Sequence, residues 1–254
     1  MDEHGIEYYR PQTREELESL MESHDGYYLF LTGGDYNVKG YQEGDVLIDL
    51  QDLHMDQIVD KGELIEVGGL TSLEALFKDD ILWTDFREAL SIEGGWNVRN
   101  GLSLDNFLRV ATGRSPLLTC LRALDINLLV QPDIGFIALD DYLYEEFNWR
   151  EFFIEKISVN KPRKVAYEQV ARSPKDLPIV CVAAVQDVDG TVVITVGGHE
   201  AILGGLVFEP ETSIELSSIR ALFEDTDDEW ASASYREDAA EALLKRCLVK
   251  LEQK

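Results

Sequence analysis

Cysteine is scarce in this chain of 254 residues: the three, Cys120, Cys181 and Cys247, lie far apart in apolar segments. An iron–sulfur cluster needs several thiolates close together, so this chain alone lacks the ligands for one. Widely spaced cysteines in apolar surroundings are typical of reduced core residues rather than of a disulfide framework. Together with an N-terminus that has neither a basic flank nor an apolar stretch, this usage predicts a cytoplasmic protein.

Basic residues and long apolar segments are also rare. The 49 acidic residues far outnumber the 23 basic ones, and the resulting formal charge of -26 would repel a nucleic-acid backbone. No apolar segment approaches the roughly 20 residues needed to cross a bilayer. We therefore expect neither a nucleic-acid partner nor membrane insertion. The acidic residues predict a solvated surface or, as the alternative, a face complementary to a basic partner subunit.

Conventional catalytic motifs are missing. The four histidines, His4, His24, His54 and His199, have no metal-ligand spacing, and none lies beside a nucleophile pattern. There is neither a Walker sequence nor a GxGxxG motif. We predict no metal site and no catalytic side chain, so any chemistry would be carried by a cofactor. The Gly197-Gly198 pair before His199 is interpreted as a strand-ending turn, with a second glycine-rich anion site as the alternative.

The most informative segment that is present is an apolar run that breaks into paired glycines. It reads Leu31-Thr32-Gly33-Gly34-Asp35-Tyr36-Asn37 and follows a predicted strand. Glycine admits positive φ and lets a ligand approach the main chain closely, so bare backbone N–H groups become accessible to an anion. The segment therefore predicts a phosphate or pyrophosphate site, with a plain tight turn as the alternative.

Helix and strand patterns alternate along the chain. Apolar runs predict strands at 27–31, 46–50, 126–130, 135–139, 166–170, 179–185 and 191–196, with a hairpin turn at Asp189-Gly190. Capping-box spacing predicts helix starts at three pairs, Thr13 with Glu16, Thr71 with Glu74, and Ser234 with Glu237. A second domain is predicted to begin near residue 159.

The order of these motifs resembles the FAD-binding medium subunit of molybdenum hydroxylases, the xanthine dehydrogenase and carbon monoxide dehydrogenase family. The resemblance covers almost the whole chain. The segments that carry it include Tyr8-Tyr9-Arg10-Pro11, Thr32-Gly33-Gly34-Asp35, Val46-Leu47-Ile48-Asp49-Leu50, Val67-Gly68-Gly69-Leu70-Thr71, Val98-Arg99-Asn100-Gly101 and Ser234-Tyr235-Arg236.

The resemblance implies an α+β fold in three parts. Two α/β subdomains of the PCMH-type FAD-binding fold, residues 1–60 and 61–158, would clasp FAD. A C-terminal domain like that of the carbon monoxide dehydrogenase flavoprotein, residues 159–254, would contain a three-stranded antiparallel sheet with helices. The residues expected to contact FAD are Leu31, Thr32, Gly33, Gly34, Asp35, Tyr36, Asn37, Thr71, Asn100, Gly101, Ser103 and Asn106.

The resemblance also implies partner chains. A molybdopterin-binding large subunit and an iron–sulfur small subunit would supply electrons, which the flavin would pass to NAD or another acceptor. Two alternatives stay open: a flavin-free homologue that serves as a structural or docking subunit, and a stand-alone flavoenzyme of related fold.

The second flavin loop departs from the family pattern. The family usually has TIGGN there, whereas this chain has Leu102-Ser103-Leu104-Asp105-Asn106. Leu104 and Asp105 replace both glycines, so we expect steric hindrance and a negative charge near the pyrophosphate. Ser115 stands where the family often has an acidic residue for the sugar hydroxyls. The segment before the C-terminal domain, around 146–153, is predicted to be a shortened loop.

Overall fold

Twelve strands and eight α-helices form the part of the chain that the computed structural model describes, residues 6–24, 28–33, 46–144, 151–174 and 176–253. The strands are β1 (Glu7–Tyr9), β2 (Leu29–Leu31), β3 (Val46–Asp49), β4 (Ile58–Asp60), β5 (Leu64–Gly68), β6 (Ile126–Gln131), β7 (Gly135–Ala138), β8 (Phe153–Asn160), β9 (Lys164–Val170), β10 (Val180–Gln186), β11 (Val192–Gly197) and β12 (Gly205–Phe208). The helices are α1 (Arg14–Ser23), α2 (Leu73–Lys78), α3 (Thr84–Glu93), α4 (Trp96–Gly101), α5 (Leu104–Val110), α6 (Pro116–Ala123), α7 (Leu139–Tyr144) and α8 (Ala233–Glu252), with 3₁₀ helices at Gln51–Leu53 and Leu216–Phe223. None of these helices is both long and apolar enough to span a membrane.

A parallel three-stranded sheet of order β1-β3-β2 contains the strand that precedes the glycine-rich segment. All four residues of its central strand β3 are buried, which explains why the sequence there is a continuous apolar run. The helix α1 begins as predicted, because the Thr13 hydroxyl accepts a hydrogen bond from the Glu16 N–H at 3.2 Å. Phe30 of β2 packs edge-on against Phe153, with ring centroids 4.8 Å apart, so this sheet shares its core with the start of β8.

The strand β8 is the centre of a five-stranded sheet of order β4-β5-β8-β6-β7. The predicted shortened loop around 146–153 lies outside the described residues except for 151–153, and the strand that begins at Phe153 was not predicted. The sequence pattern does not predict β8, because the charged residues Glu155 and Lys156 interrupt its apolar alternation. Glu155 forms an ion pair with Arg14, and Lys156 forms one with Glu66, in each case with a nitrogen-to-oxygen distance of 2.5 Å.

The C-terminal antiparallel sheet has four strands in the described residues, in the order β12-β11-β10-β9. The prediction of three strands was wrong because β12 is a short edge strand of four residues with an exposed, partly buried, exposed, partly buried pattern. Its position after Gly204 and before Pro210 is typical of a loop, and only its pairing with β11 makes it a strand.

The N-terminal cap of α8 lies two residues before the predicted one. Ser232 is the cap, since its hydroxyl accepts the Tyr235 N–H at 3.3 Å, whereas Ser234 is exposed. Glu237, the predicted partner of Ser234, pairs instead with Arg220 at 3.0 Å. The buried face of α8 packs on the antiparallel sheet and includes Ala240, Leu243, Leu244, Cys247 and Leu251.

The three cysteines are unpaired and buried, which confirms their interpretation as reduced core residues. Burial raises the pKa of the Cys181 and Cys247 thiols to about 12 and holds the pKa of Cys120 well above its ordinary value. Their thiolates are therefore scarce at neutral pH, and a role as nucleophiles is disfavoured.

Contacts divide the chain into two compact units. The first comprises Met1–Ala75, Asn97–Val110 and Asn127–Ser158, and the second comprises Leu76–Trp96, Ala111–Ile126 and Val159–Lys254. The division of the sequence into domains at residue 159 stays a prediction, because contacts alone do not show which part of a chain folds by itself.

Candidate functional site

The first predicted phosphate loop begins at the end of β2. Leu31 is the last residue of that strand, its carbonyl accepts the Leu50 N–H at 3.1 Å, and Thr32 after it is buried. Gly33 has φ of +90°, a conformation that favours glycine, so the predicted break after the strand is present at Gly33. The remaining predicted residues of this loop, Gly34, Asp35, Tyr36 and Asn37, lie outside the described residues.

Two residues of the second loop contact Gly33. The side-chain amide of Asn106 donates to the Gly33 carbonyl at 2.6 Å, and the Ser103 N–H approaches the same oxygen at 3.5 Å. Ser103 also caps α5, because its hydroxyl accepts the Asn106 N–H at 3.2 Å. The structure therefore brings these three predicted residues together. Asn100 and Gly101, also predicted, are exposed at the end of α4.

Thr71 lies beside the same cluster. Its carbonyl accepts the Leu104 N–H at 2.9 Å, next to the residue that approaches Gly33. Thr71 is fully buried, and its hydroxyl oxygen has no hydrogen-bond partner among the described residues. A buried hydroxyl without a partner is unfavourable in a protein interior, so this oxygen fits a polar ligand atom.

Thr71 does not cap a helix, contrary to the capping-box prediction. Ser72 takes that role, since its hydroxyl accepts the Ala75 N–H at 3.1 Å. Glu74 pairs with Arg99 instead, with 2.9 Å between its carboxylate and the guanidinium Nε, and both side chains are largely buried. The sequence gives no signal for this pair, which lies 25 positions apart and fastens α4 to α2.

The backbone N–H groups of the second loop are all occupied. The Leu102 N–H donates to the Val98 carbonyl at 3.0 Å. The Leu104 N–H donates to the Thr71 carbonyl at 2.9 Å, and the Asp105 N–H donates to the Gly69 carbonyl at 2.8 Å. The Ser103 N–H faces Gly33 and the Asn106 N–H donates to Ser103, as described above. An anion at a helix N-terminus binds to N–H groups that have no internal acceptor. This loop offers none.

Asp105 lies in the protein interior and not at a phosphate position. It is fully buried, its Oδ1 accepts the Ile154 N–H at 2.8 Å, and its Oδ2 is 2.8 Å from the Arg109 guanidinium. Arg109 also donates to the Phe152 carbonyl at 2.7 Å. The expectation that Asp105 repels a pyrophosphate was therefore wrong, because its charge is neutralised within the fold. Together Asp105 and Arg109 attach α5 to the start of β8.

Tyr142 on α7 is influenced by the same buried pair, Asp105 and Arg109. Burial raises its pKa well above the ordinary value, the charge of Asp105 raises it further, and Arg109 opposes this effect. The phenol is thus neutral at physiological pH.

The glycines of the Val67–Thr71 segment serve packing. A Cβ atom at Gly68 would lie 2.1 Å from the Met55 carbonyl oxygen, and one at Gly69 would lie 1.8 Å from that of Ile154. Neither neighbour is a flexible side chain, so both positions need glycine for close backbone approach. Of this segment, only Thr71 keeps a polar group suited to a ligand.

Two other positions of interest have structural roles. Ser115, at the position of the family's sugar-binding acid, caps α6 by accepting the Leu118 N–H at 2.9 Å and donates to Glu93 at 2.8 Å. A Cβ atom at Gly197 would lie 2.2 Å from the Thr119 hydroxyl, and one at Gly198 would lie 2.3 Å from the Ile179 carbonyl. The Gly197-Gly198 pair is thus a tightly packed turn at the end of β11, as its preferred interpretation stated.

Solved structures share this fold over the whole chain. Quinoline 2-oxidoreductase from Pseudomonas putida 86 matches with a TM-score of 0.73 and 16% identity, covering 98% of both chains. Carbon monoxide dehydrogenase from Oligotropha carboxidovorans matches with a TM-score of 0.74 and 17% identity over the same share of both chains. The chain has the fold of a carbon monoxide dehydrogenase medium subunit.

A third match is the carbon monoxide dehydrogenase of Hydrogenophaga pseudoflava that lacks the Mo-pyranopterin moiety of its cofactor, with a TM-score of 0.71, 17% identity and 98% coverage of both chains. No protein-family model matches the chain, and no curated protein matches it by sequence. The resemblance inferred from sequence motifs is therefore confirmed at the level of fold, as a mixed α+β architecture with parallel and antiparallel sheets.

Proposed function

We propose that this chain is the FAD-binding medium subunit of a molybdenum hydroxylase complex. The observation that carries the proposal is the fold, which matches solved chains of such oxidoreductases over 98% of both sequences. In this role the chain works with a molybdopterin-binding large subunit and an iron–sulfur small subunit. Electrons pass from the clusters through the flavin to NAD or another acceptor. The unpaired cysteines support a reducing compartment, the cytoplasm.

The residues around Gly33 fit one side of such a cofactor. The first loop would hold a flavin phosphate through the backbone that follows Thr32, and the buried Thr71 hydroxyl would donate or accept a further hydrogen bond. A bound flavin supplies the electron-transfer chemistry. The chain contributes the phosphate-binding backbone, and Asn106 fixes the orientation of the Gly33 carbonyl.

A flavin-free docking subunit is the second candidate function. It is favoured by the second loop, where the N–H groups of residues 102–106 already have acceptors within the fold. In that role the chain would connect the other two subunits and transfer no electrons itself.

Replacing Gly33 with valine is expected to reduce flavin retention by more than about tenfold. A β-branched residue at φ of +90° costs of order 1 to 3 kcal/mol of strain, and relief of that strain would distort the loop. The matched control is Gly62→Val, because Gly62 has φ of +91° in open space between β4 and β5. Flavin content per chain, measured by absorbance after purification, is the readout.

Gly62→Val is expected to lose comparable stability while retaining flavin. Equal flavin content in both variants would show that the backbone at Gly33 does not hold the cofactor.

A further inference from the structure

We infer that the surface formed by Arg114, Arg172 and Trp230 binds the carboxylates of an acidic segment of a partner polypeptide. This surface is called the Arg-Trp patch below. All three of its residues belong to the second compact unit. The inference is independent of the proposed flavin function, because none of the three is among the residues expected to contact FAD.

Both arginines of the patch lie over the same indole ring. The guanidinium carbon of Arg114 is 4.5 Å from the centroid of the Trp230 ring, and that of Arg172 is 4.1 Å from it. Distances of this size are typical of cation–π contacts, which hold a guanidinium on a ring without using its N–H donors. Trp230 is 36% exposed, so the patch lies at the surface of the chain.

Neither arginine has a close carboxylate among the described residues. Arg114 forms no ion pair with any of them, and Arg172 has only Asp176, whose Oδ2 is 3.6 Å from its Nε with both side chains well exposed. The chain has 49 acidic residues for 23 basic ones, yet the fold places none of these acids close to the patch arginines. Two neighbouring positive charges repel each other, and an anion bound between them relieves the repulsion. The patch therefore has both charge and hydrogen-bond donors to offer to an external anion.

A buried arginine holds the segments that form the patch. Arg236 donates to the Ile179 carbonyl at 2.6 Å and to the Gly198 carbonyl at 2.8 Å. It also donates to the Asp228 carboxylate at 2.5 Å, and this carboxylate accepts the Trp230 N–H at 2.8 Å. The backbone of the patch tryptophan is thus fixed from the protein interior.

The same buried contacts place the two patch arginines. The Gly198 N–H donates to the carbonyl of Gly113, the residue directly before the first arginine, at 2.8 Å. The Ile179 N–H donates to the Val170 carbonyl at 2.8 Å, which closes the segment that carries the second arginine. A surface that is fixed before binding loses less conformational entropy when a partner binds.

The chemistry of the patch favours an acidic polypeptide over a small anion in solution. Tryptophan and arginine are enriched among the residues that dominate the binding energy of protein interfaces. A small anion would meet only solvent-exposed guanidiniums, and such pairs are weak in water. A polypeptide segment can place carboxylates on both arginines and also contact the indole. The exposed acids that precede Trp230, namely Glu224, Asp225, Asp227 and Glu229, would repel carboxylates in any other register.

Binding of a fluorescently labelled hexaglutamate peptide to the purified full-length chain tests the inference, with fluorescence anisotropy as the readout. We expect saturable binding at about 50 mM salt that weakens at least about tenfold at about 500 mM salt, because exposed charge pairs are screened. Arg114→Gln and Arg172→Gln are each expected to weaken binding at least about fivefold, since each removes charge-assisted hydrogen bonds to a carboxylate. A labelled hexaglutamine peptide is expected not to bind.

Arg246→Gln is the matched control variant. Arg246 is 65% exposed on α8 and its ion pair with Glu168 spans 3.8 Å, so its replacement removes the same charge away from the patch. This variant is expected to bind the peptide as the unchanged chain does. No binding by the unchanged chain would overturn the inference, as would equal binding by the patch variants or an equal loss in the control variant.

Competition distinguishes a polypeptide from a small anion. Inorganic phosphate at the concentration of unlabelled hexaglutamate that displaces half of the labelled peptide is expected to displace less than about a tenth of it. Displacement equal to that by hexaglutamate would overturn the assignment to a polypeptide and identify the patch as a site for small anions.

Discussion

Asp105→Asn is expected to lower the free energy of unfolding by about 3 to 5 kcal/mol, the usual cost of removing one partner of a buried ion pair. The substitution keeps the shape of the side chain and one acceptor for the Ile154 N–H, but it leaves the Arg109 guanidinium facing an amide without charge. Arg109 is itself almost completely buried and has little access to water for compensation. Urea denaturation followed by circular dichroism measures the loss.

The control for this prediction is Asp141→Asn, the same chemical change at an exposed position of α7. Surface substitutions of this kind usually change stability by no more than about 0.5 kcal/mol. Should Asp105→Asn be as mild as its control, the ion pair would not be the attachment of α5 to β8 that the structure indicates.

The same geometry reverses an expectation drawn from the sequence. Leu104 and Asp105 were expected from the sequence to hinder and repel a pyrophosphate, which would make glycine at both positions favourable for FAD binding. Because Leu104 fills the core and Asp105 neutralises Arg109, the double replacement is now expected to destabilise the first unit.

Arg236→Met is expected to lower the free energy of unfolding by about 3 to 5 kcal/mol. Arg236 is fully buried and donates to the carbonyls of Ile179 and Gly198 at 2.6 and 2.8 Å, and to the Asp228 carboxylate at 2.5 Å. Methionine fills a similar volume but leaves two carbonyls without this donor and removes the positive charge beside Asp228, which keeps the N–H groups of Trp230 and Ala231. Thermal unfolding of the purified variant measures the effect.

Arg246→Met provides the matched comparison on the same helix. Arg246 is 65% exposed and its nearest carboxylate, Glu168, is 3.8 Å away, so its loss is expected to change stability by at most about 0.5 kcal/mol. Similar unfolding temperatures for both variants would mean that the Arg236 contacts contribute little to stability.

Much of the fold was predictable because its signals are local. The buried run Val46–Asp49, the hairpin at Asp189-Gly190 and the cap at Thr13 each follow from a few adjacent residues. By contrast, β8 carries charges that are satisfied by residues far away in the sequence, and β12 is defined by its partner strand. Long-range pairing of this kind leaves no periodic signal in the strand itself.

Three of the residues expected to contact FAD do lie together, whereas the hydrogen bonding of the second loop was not predicted. The glycine break located Gly33, and the family resemblance located Ser103 and Asn106 beside it. The role of Asp105 was missed, although one signal was present: Asp105 and Arg109 stand four residues apart, a spacing that favours an ion pair on a helix. What the spacing could not show is that the pair is buried, because burial depends on where β8 lies.

Purification of the native complex, with mass spectrometry of its chains and a visible absorption spectrum of the same sample, tests the central claim most directly. The flavin-subunit account predicts recovery of this chain with an iron–sulfur chain and a larger molybdopterin chain, together with the absorption bands of oxidised flavin. Partners without flavin would contradict the electron-transfer role and favour the docking subunit. A chain that remains alone, carries flavin and turns over a small substrate would contradict both.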